Sequence, residues 1–181
     1  ALGHAPRLAV GHSAGAAVLA RMTIDGAIAP EVLVALNGAL VPIRNGPGEL
    51  PWFSGLARLM ATLPVVPWVL SWQAADRATV ERLLRGTGST IPPENVTFYT
   101  RLLRRPGHVA AALGMMAAWD LAALARDLPR LAVPLVLVVG TNDRTVPPEE
   151  AERVRALVPA ARIVALPGLG HLAHEERPDL V

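Results

Sequence analysis

The chain has 181 residues with 17 Arg, no Lys and 15 carboxylates, so its formal charge is only +2 with its 5 His neutral. A polybasic nucleic-acid binder is excluded, and the sequence pI near 10.3 reflects only the lack of groups that titrate between His and Arg. Apolar residues at 52% against 18% charged exclude disorder and predict a generous core, while zero Cys excludes disulfides, thiolate metal sites and cysteine nucleophiles.

Taken in chain order, Arg7-Leu8-Ala9-Val10 is a short apolar run that stops at Gly11. From Ser13, the spacing of Ala16, Ala17, Leu19 and Ala20 predicts a buried helix, giving strand, sharp turn, helix. Val32 to Leu36 is a second continuous apolar run, ended by Asn37-Gly38 and suited to a strand covered on both faces. Residues 46–124 break this rhythm: the stretch is helical in pattern, punctuated by Pro, and rich in Trp and Met. Leu50 to Trp72 is its most apolar part, but Arg58, Pro51, Pro64 and Pro67 interrupt it, and no run reaches the roughly 18–20 apolar residues of a spanning helix. Leu135 to Val139 predicts a third strand, Pro148 to Leu157 a helix with acidic residues in its first turn, and Arg162 to Leu166 a fourth strand. Strands alternating with helices predict an α/β fold with a parallel sheet. Residues 1–45 and 125–181 are expected to form its core, with 46–124 inserted as a helical cap.

Gly11-His12-Ser13-Ala14-Gly15 is a G-x-S-x-G sequence at the strand-to-helix turn, where a strained backbone would project the serine hydroxyl upward and flanking glycines would avoid collision. The Ala14 N–H, at the start of the helix, is the expected oxyanion donor. A serine hydroxyl needs a base to take its proton, and the base needs a third group to fix its tautomer. Asp143 follows the third strand and His171 the fourth, both at the carboxyl edge where open α/β sheets place their sites. Blander roles exist for each: Ser13 as a helix N-cap, Asp143 as an Asx-turn residue, His171 as a loop histidine. The neighbouring His12 fits loop support better than base chemistry, and His174 fits a cap or salt bridge better than a metal site with His171 and Glu175. The Gly86-Thr87-Gly88-Ser89-Thr90 segment lacks the Lys of a phosphate-binding loop and is read simply as a loop. No metal and no cofactor is expected.

These motifs, with the Gly-x-x-Asp-x-x-x-Pro segment at Gly140 and the Gly-His-x-x-x-Glu-x-x-Pro segment at Gly170, resemble the α/β-hydrolase superfamily across essentially the whole chain. The resemblance implies the C-terminal part of such a fold, with the first strands and a second oxyanion donor expected before Ala1. It implies Ser13 as nucleophile, Asp143 as acid and His171 as base. Leu36-Asn37-Gly38-Ala39-Leu40, Arg85-Gly86-Thr87-Gly88-Ser89-Thr90, Pro106-Gly107-His108-Val109, Gly114-Met115-Met116 and Trp119-Asp120-Leu121 further resemble the magnesium-chelatase accessory family of bacteriochlorophyll synthesis. The expectation is then a serine hydrolase of an ester, thioester or amide of a bulky apolar molecule, linked to magnesium insertion. The alternative is a non-catalytic accessory that binds a tetrapyrrole or the magnesium chelatase. Trp52, Trp68, Trp72, Met116 and Trp119 are expected to wall an apolar cavity above Ser13. A cytoplasmic location, with peripheral contact to a photosynthetic membrane, is the accompanying expectation.

Overall fold

A computed structural model describes residues 6–43, 63, 65–74 and 76–181. Among the described residues four strands, β1 (Leu8–His12), β2 (Val32–Leu36), β3 (Leu135–Gly140) and β4 (Arg162–Leu166), lie in the order β1-β2-β3-β4, and all neighbours are parallel. The register pairs Gly11 with Ala35, Leu36 with Val138, and Gly140 with Leu166. A parallel sheet puts every carboxyl end on one edge, so the residues that follow His12, Leu36, Gly140 and Leu166 emerge side by side.

Leu33, Ala35, Leu135 and Leu137 fill the centre of the sheet. Helix α1 (Ala14–Ile24) lays Ala16, Ala17 and Ala20 against it, and these small side chains let the helix approach closely. Leu124, Leu128 and Val154 join the same cluster from three further helical turns. β1 is more exposed than its neighbour: Leu8 and Val10 are 57% and 56% exposed while Ala9 is buried, whereas no residue of β2 is exposed.

Between β2 and β3 the described chain is helical: α2 (Val65–Gln73), α3 (Arg77–Gly86), α4 (Pro93–Leu103), α5 (Pro106–Ala117) and α6 (Leu121–Asp127). Local chemistry explains the starts. Asp76 caps α3 by accepting from the Ala78 and Thr79 N–H groups, and Pro stands at the first helical position of α4 and of α5. α2 packs on α5, and α3 and α5 each pack on α4. Val80, Leu84 and Val96 close a second, smaller apolar cluster together with Ala74 and Leu172, the last contributed by the loop after β4. Helix α7 (Glu149–Leu157) follows β3, and the short α8 (Ala173–Glu176) follows β4. Among the described residues no single helix is long and apolar enough to cross a membrane; α5 and the Leu121–Arg130 helical stretch reach that length and composition only as a pair bent by 48°. Part of the Leu50 to Trp72 run lies outside the described residues.

Candidate active site

The turn from β1 into α1 places Ser13 at φ 51° and ψ −118°, a left-handed backbone that a non-glycine residue holds only when its surroundings enforce it. Its N–H donates to the Leu36 carbonyl at 3.0 Å, and its own carbonyl accepts from Ala16 and Ala39, so the strained turn is fixed from both sides. Gly11 is required here because a Cβ would lie 2.6 Å from the Ala16 backbone. Gly15 is different, with nothing within 4 Å of an added Cβ, so the steric expectation for the motif holds at its first glycine and not at its second. Ser13 stands at the N-cap position of α1, yet its side chain makes no capping hydrogen bond.

Asp143 and His171, 28 residues apart, meet in a buried contact: His171 Nδ1–H donates to Asp143 Oδ2 at 2.8 Å. The carboxylate is fully buried and the imidazole 8% exposed. Asp143 Oδ1 accepts from the Thr145 and Val146 N–H groups at 2.7 and 2.9 Å, so the Asx-turn role and the partnership with histidine coexist on different oxygens of one carboxylate. In the neutral ring, a proton on Nδ1 directed at Asp143 leaves the lone pair on Nε2. Among the described residues His171 is hydrogen-bonded through its ring to Asp143 and not to Ser13 Oγ. The two loops are nonetheless adjacent, since the His12 ring, one residue before Ser13, lies with its centroid 4.7 Å from that of His171.

Two further residues hold the His171 loop. His12 Nε2–H donates to the His171 carbonyl at 2.8 Å, the loop-support role expected for it, and burial pushes its pKa down to about 4, so the ring stays neutral. Asn37, 2% exposed and at φ 45°, donates from Nδ2 to the carbonyls of Gly170 and His171 and accepts from the Gly140 N–H with Oδ1. Sequence reading missed this role of Asn37. Its place directly after a predicted core strand was the available signal. The His174 ring lies against that of His12, with centroids 4.5 Å apart and planes tilted by 53°, and burial lowers its pKa as well. Its Nε2 is 3.9 Å from Glu175. Among the described residues no group of three or more His, Asp or Glu side chains is arranged to hold a metal ion.

The residues expected to wall a cavity above Ser13 are placed differently from one another. Trp68 and Trp72 are 68% and 76% exposed, and with Val65 and Val69 they line an open apolar concavity of about 480 Å³ whose described lining contains no member of the Ser13, Asp143 and His171 set. The reason is helical phase: Pro67 and Ser71 form the buried face of α2, which turns the tryptophans outward. Met116 is exposed and Trp119 half-buried. Trp52 lies outside the described residues.

Comparison with known proteins identifies the family and the fold. The chain is 36% identical over 174 residues to the magnesium-chelatase 30 kDa subunit of Rhodobacter capsulatus, an alignment that covers 96% of this chain and 60% of that protein. The chain therefore spans about 60% of the length of that curated relative. Among solved structures, MGS-M2, an alpha/beta hydrolase enzyme from a Medee basin deep-sea metagenome library, superposes with a TM-score of 0.70 at 16% identity, covering 99% of this chain and 63% of its own. An alpha/beta hydrolase fold protein from Burkholderia ambifaria gives a TM-score of 0.70 at 20% identity, covering 97% and 63%. A model of the alpha/beta hydrolase family matches residues 1–181. With a strained serine at a strand-to-helix turn, an Asp-His pair on the next loops of the same sheet edge and these matches, the chain belongs to the alpha/beta hydrolase family.

Proposed function

We propose that this chain carries the reactive part of a serine hydrolase, with Ser13 as nucleophile, His171 as general base and Asp143 as the acid that fixes the base. The observation that carries this reading is the buried Asp143–His171 hydrogen bond, made between loops that share a sheet edge with the φ 51° turn at Ser13. In the reaction, Ser13 Oγ attacks a carbonyl carbon while His171 Nε2 takes its proton. The charge that develops on the carbonyl oxygen is met by the Ala14 N–H at the start of α1. The imidazolium, stabilised by Asp143, then protonates the leaving group, and water releases the acyl group by the reverse proton path. Residues 1–45 and 125–181 form the core in this reading, and 46–124 form a cap whose exposed Trp68 and Trp72 suit a bulky apolar acyl or alcohol group, or the surface of a photosynthetic membrane. An ester, thioester or amide is the substrate class. Similarity to a magnesium-chelatase subunit supports a place beside magnesium insertion in bacteriochlorophyll synthesis.

The test is labelling of the full-length protein with a serine-directed phosphonate, whose adduct mimics the tetrahedral intermediate. Ser13 is expected to label, His171→Ala to abolish labelling and Asp143→Asn to reduce it, because the amide favours the wrong imidazole tautomer. A wild-type protein that resists the reagent overturns the reading. The same similarity favours a second reading, a non-catalytic accessory that binds a tetrapyrrole or chelatase subunits. Restoration of pigment synthesis by Ser13→Ala in a deletion strain would select it.

A further inference from the structure

The Gly86–Thr90 segment, which the sequence offers only as a loop, is where the helical stretch grips both loops that bear the acid and the base. The Thr87 carbonyl accepts from the Arg144 N–H at 3.1 Å and from the His171 N–H at 3.4 Å. The Gly88 carbonyl accepts from Asn142 Nδ2 at 2.7 Å, and Ser89 Oγ, in a residue 2% exposed, accepts from the Leu172 N–H at 2.8 Å. These bonds go to residues 142 and 144, which flank Asp143, and to residues 171 and 172 at the base itself. The backbones are in direct contact: Gly88 has φ +86° and a Cβ on it would stand 1.9 Å from the Asn142 carbonyl oxygen, while a Cβ on Gly170 would stand 2.4 Å from the Gly88 carbonyl carbon. Glu176 closes the other side, its Oε1 accepting from the Gly170 N–H at 2.7 Å and its Oε2 from the Thr90 N–H at 3.1 Å. The side chain of Leu172, next to the base, packs among Val80, Leu84 and Val96 of α3 and α4.

We propose that Thr87, Gly88 and Ser89 form a latch that positions the Asp143–His171 pair, so that the alignment of acid and base depends on the docking of the α3–α4 corner. The proposal rests on reading those two residues as acid and base. A loop that only filled space could bond anywhere on the core; this one brackets the two functional side chains through their own backbone neighbours. None of its residues touches the reacting atoms, so they are positioning residues. Displacing the corner would move both loops together.

The experiment uses the full-length protein with Ser89→Ala, which removes the acceptor for the Leu172 N–H, and Asn142→Ala, which cuts the tie to Gly88 on the exposed side. The readouts are the low-field proton resonance of His171 Nδ1–H and the rate of Ser13 labelling by the phosphonate. Both variants are expected to broaden or shift that resonance and to slow labelling by about tenfold or more, as small misplacements of a reacting group do. If Ser89→Ala does not fold, Asn142→Ala decides alone. A folded variant with the wild-type resonance overturns the latch. A resonance that responds in a protein whose Ser13 never labels leaves the latch standing and removes the nucleophile reading instead.

Discussion

Asn37 joins three segments with one amide group: the end of β2 that carries it, the Gly140 N–H at the end of β3, and the Gly170 and His171 carbonyls of the loop after β4. An amide suits the site because it offers donors to two carbonyls and an acceptor to one N–H, and because Asn tolerates φ 45° better than most residues. Replacing it by Ala strands buried polar groups, each worth about 1–3 kcal/mol, and adds the strain of a left-handed Ala. Asn37→Ala is therefore expected to lose about 3–5 kcal/mol of unfolding free energy, measured by urea titration. His12 gives a second prediction at this scale. Its folded pKa of about 4 lies below the 6.5 of an unfolded histidine, so the unfolded chain binds the proton first. The neutral ring is stable above pH 6.5, and stability is lost as the pH falls from there toward 4. His171 and His174, whose positive forms oppose a charge on His12, and Asp143, which favours it, are the ionisable groups around it. His12→Gln keeps a donor for the His171 carbonyl and removes the titration. Its urea midpoint is expected to fall less steeply between pH 6.5 and 4, with the difference from wild type reaching at most about 3 kcal/mol.

At the scale of elements, what was legible in the sequence is what local pattern determines. β2 and β4 begin and end at the residues their apolar runs predict, because each run is closed by a breaker, Asn37-Gly38 or Pro167-Gly168. β1 and β3 run one or two residues longer, to His12 and Gly140, since pairing with β2 and β4 extends them past the apolar residues. The loops that carry Asp143 and His171 were legible for the same reason: each follows such a strand in a parallel sheet. The latch was not. Its ties to the core span 54 residues from Gly88 to Asn142, 83 from Ser89 to Leu172 and 86 from Thr90 to Glu176, and nothing in the local sequence of Thr87-Gly88-Ser89 specifies a partner so distant. The outward turn of Trp68 and Trp72 was hidden too, because in a helix as apolar as α2 the phase of the buried face is decided by α5 rather than by hydrophobic contrast.

At the scale of the molecule, the two apolar clusters of the described residues differ in size and in how they are tied to each other. The larger one spans the sheet and the helices on it, from Ala9 and Ala16 to Val154 and Ala161. The smaller one has Ala74, Val80, Leu84 and Val96 from the helical stretch, and it takes Leu172 from the core's last loop as its fifth buried member. A small cluster that borrows a side chain should open at lower free energy than the sheet, since local stability follows buried apolar contact. Truncating the borrowed residue separates the two. Leu172→Ala removes buried volume worth about 2–5 kcal/mol from the smaller cluster while leaving every strand pairing in place. Hydrogen exchange is expected to accelerate by at least about tenfold at the amides of α3 and α4, the factor that 1.4 kcal/mol produces, with β2 and β3 amides near their wild-type rates. Equal acceleration throughout the sheet would mean that the helical stretch and the sheet unfold as one unit, and the last loop would then be a seam within a single core rather than the peg that holds a separate one.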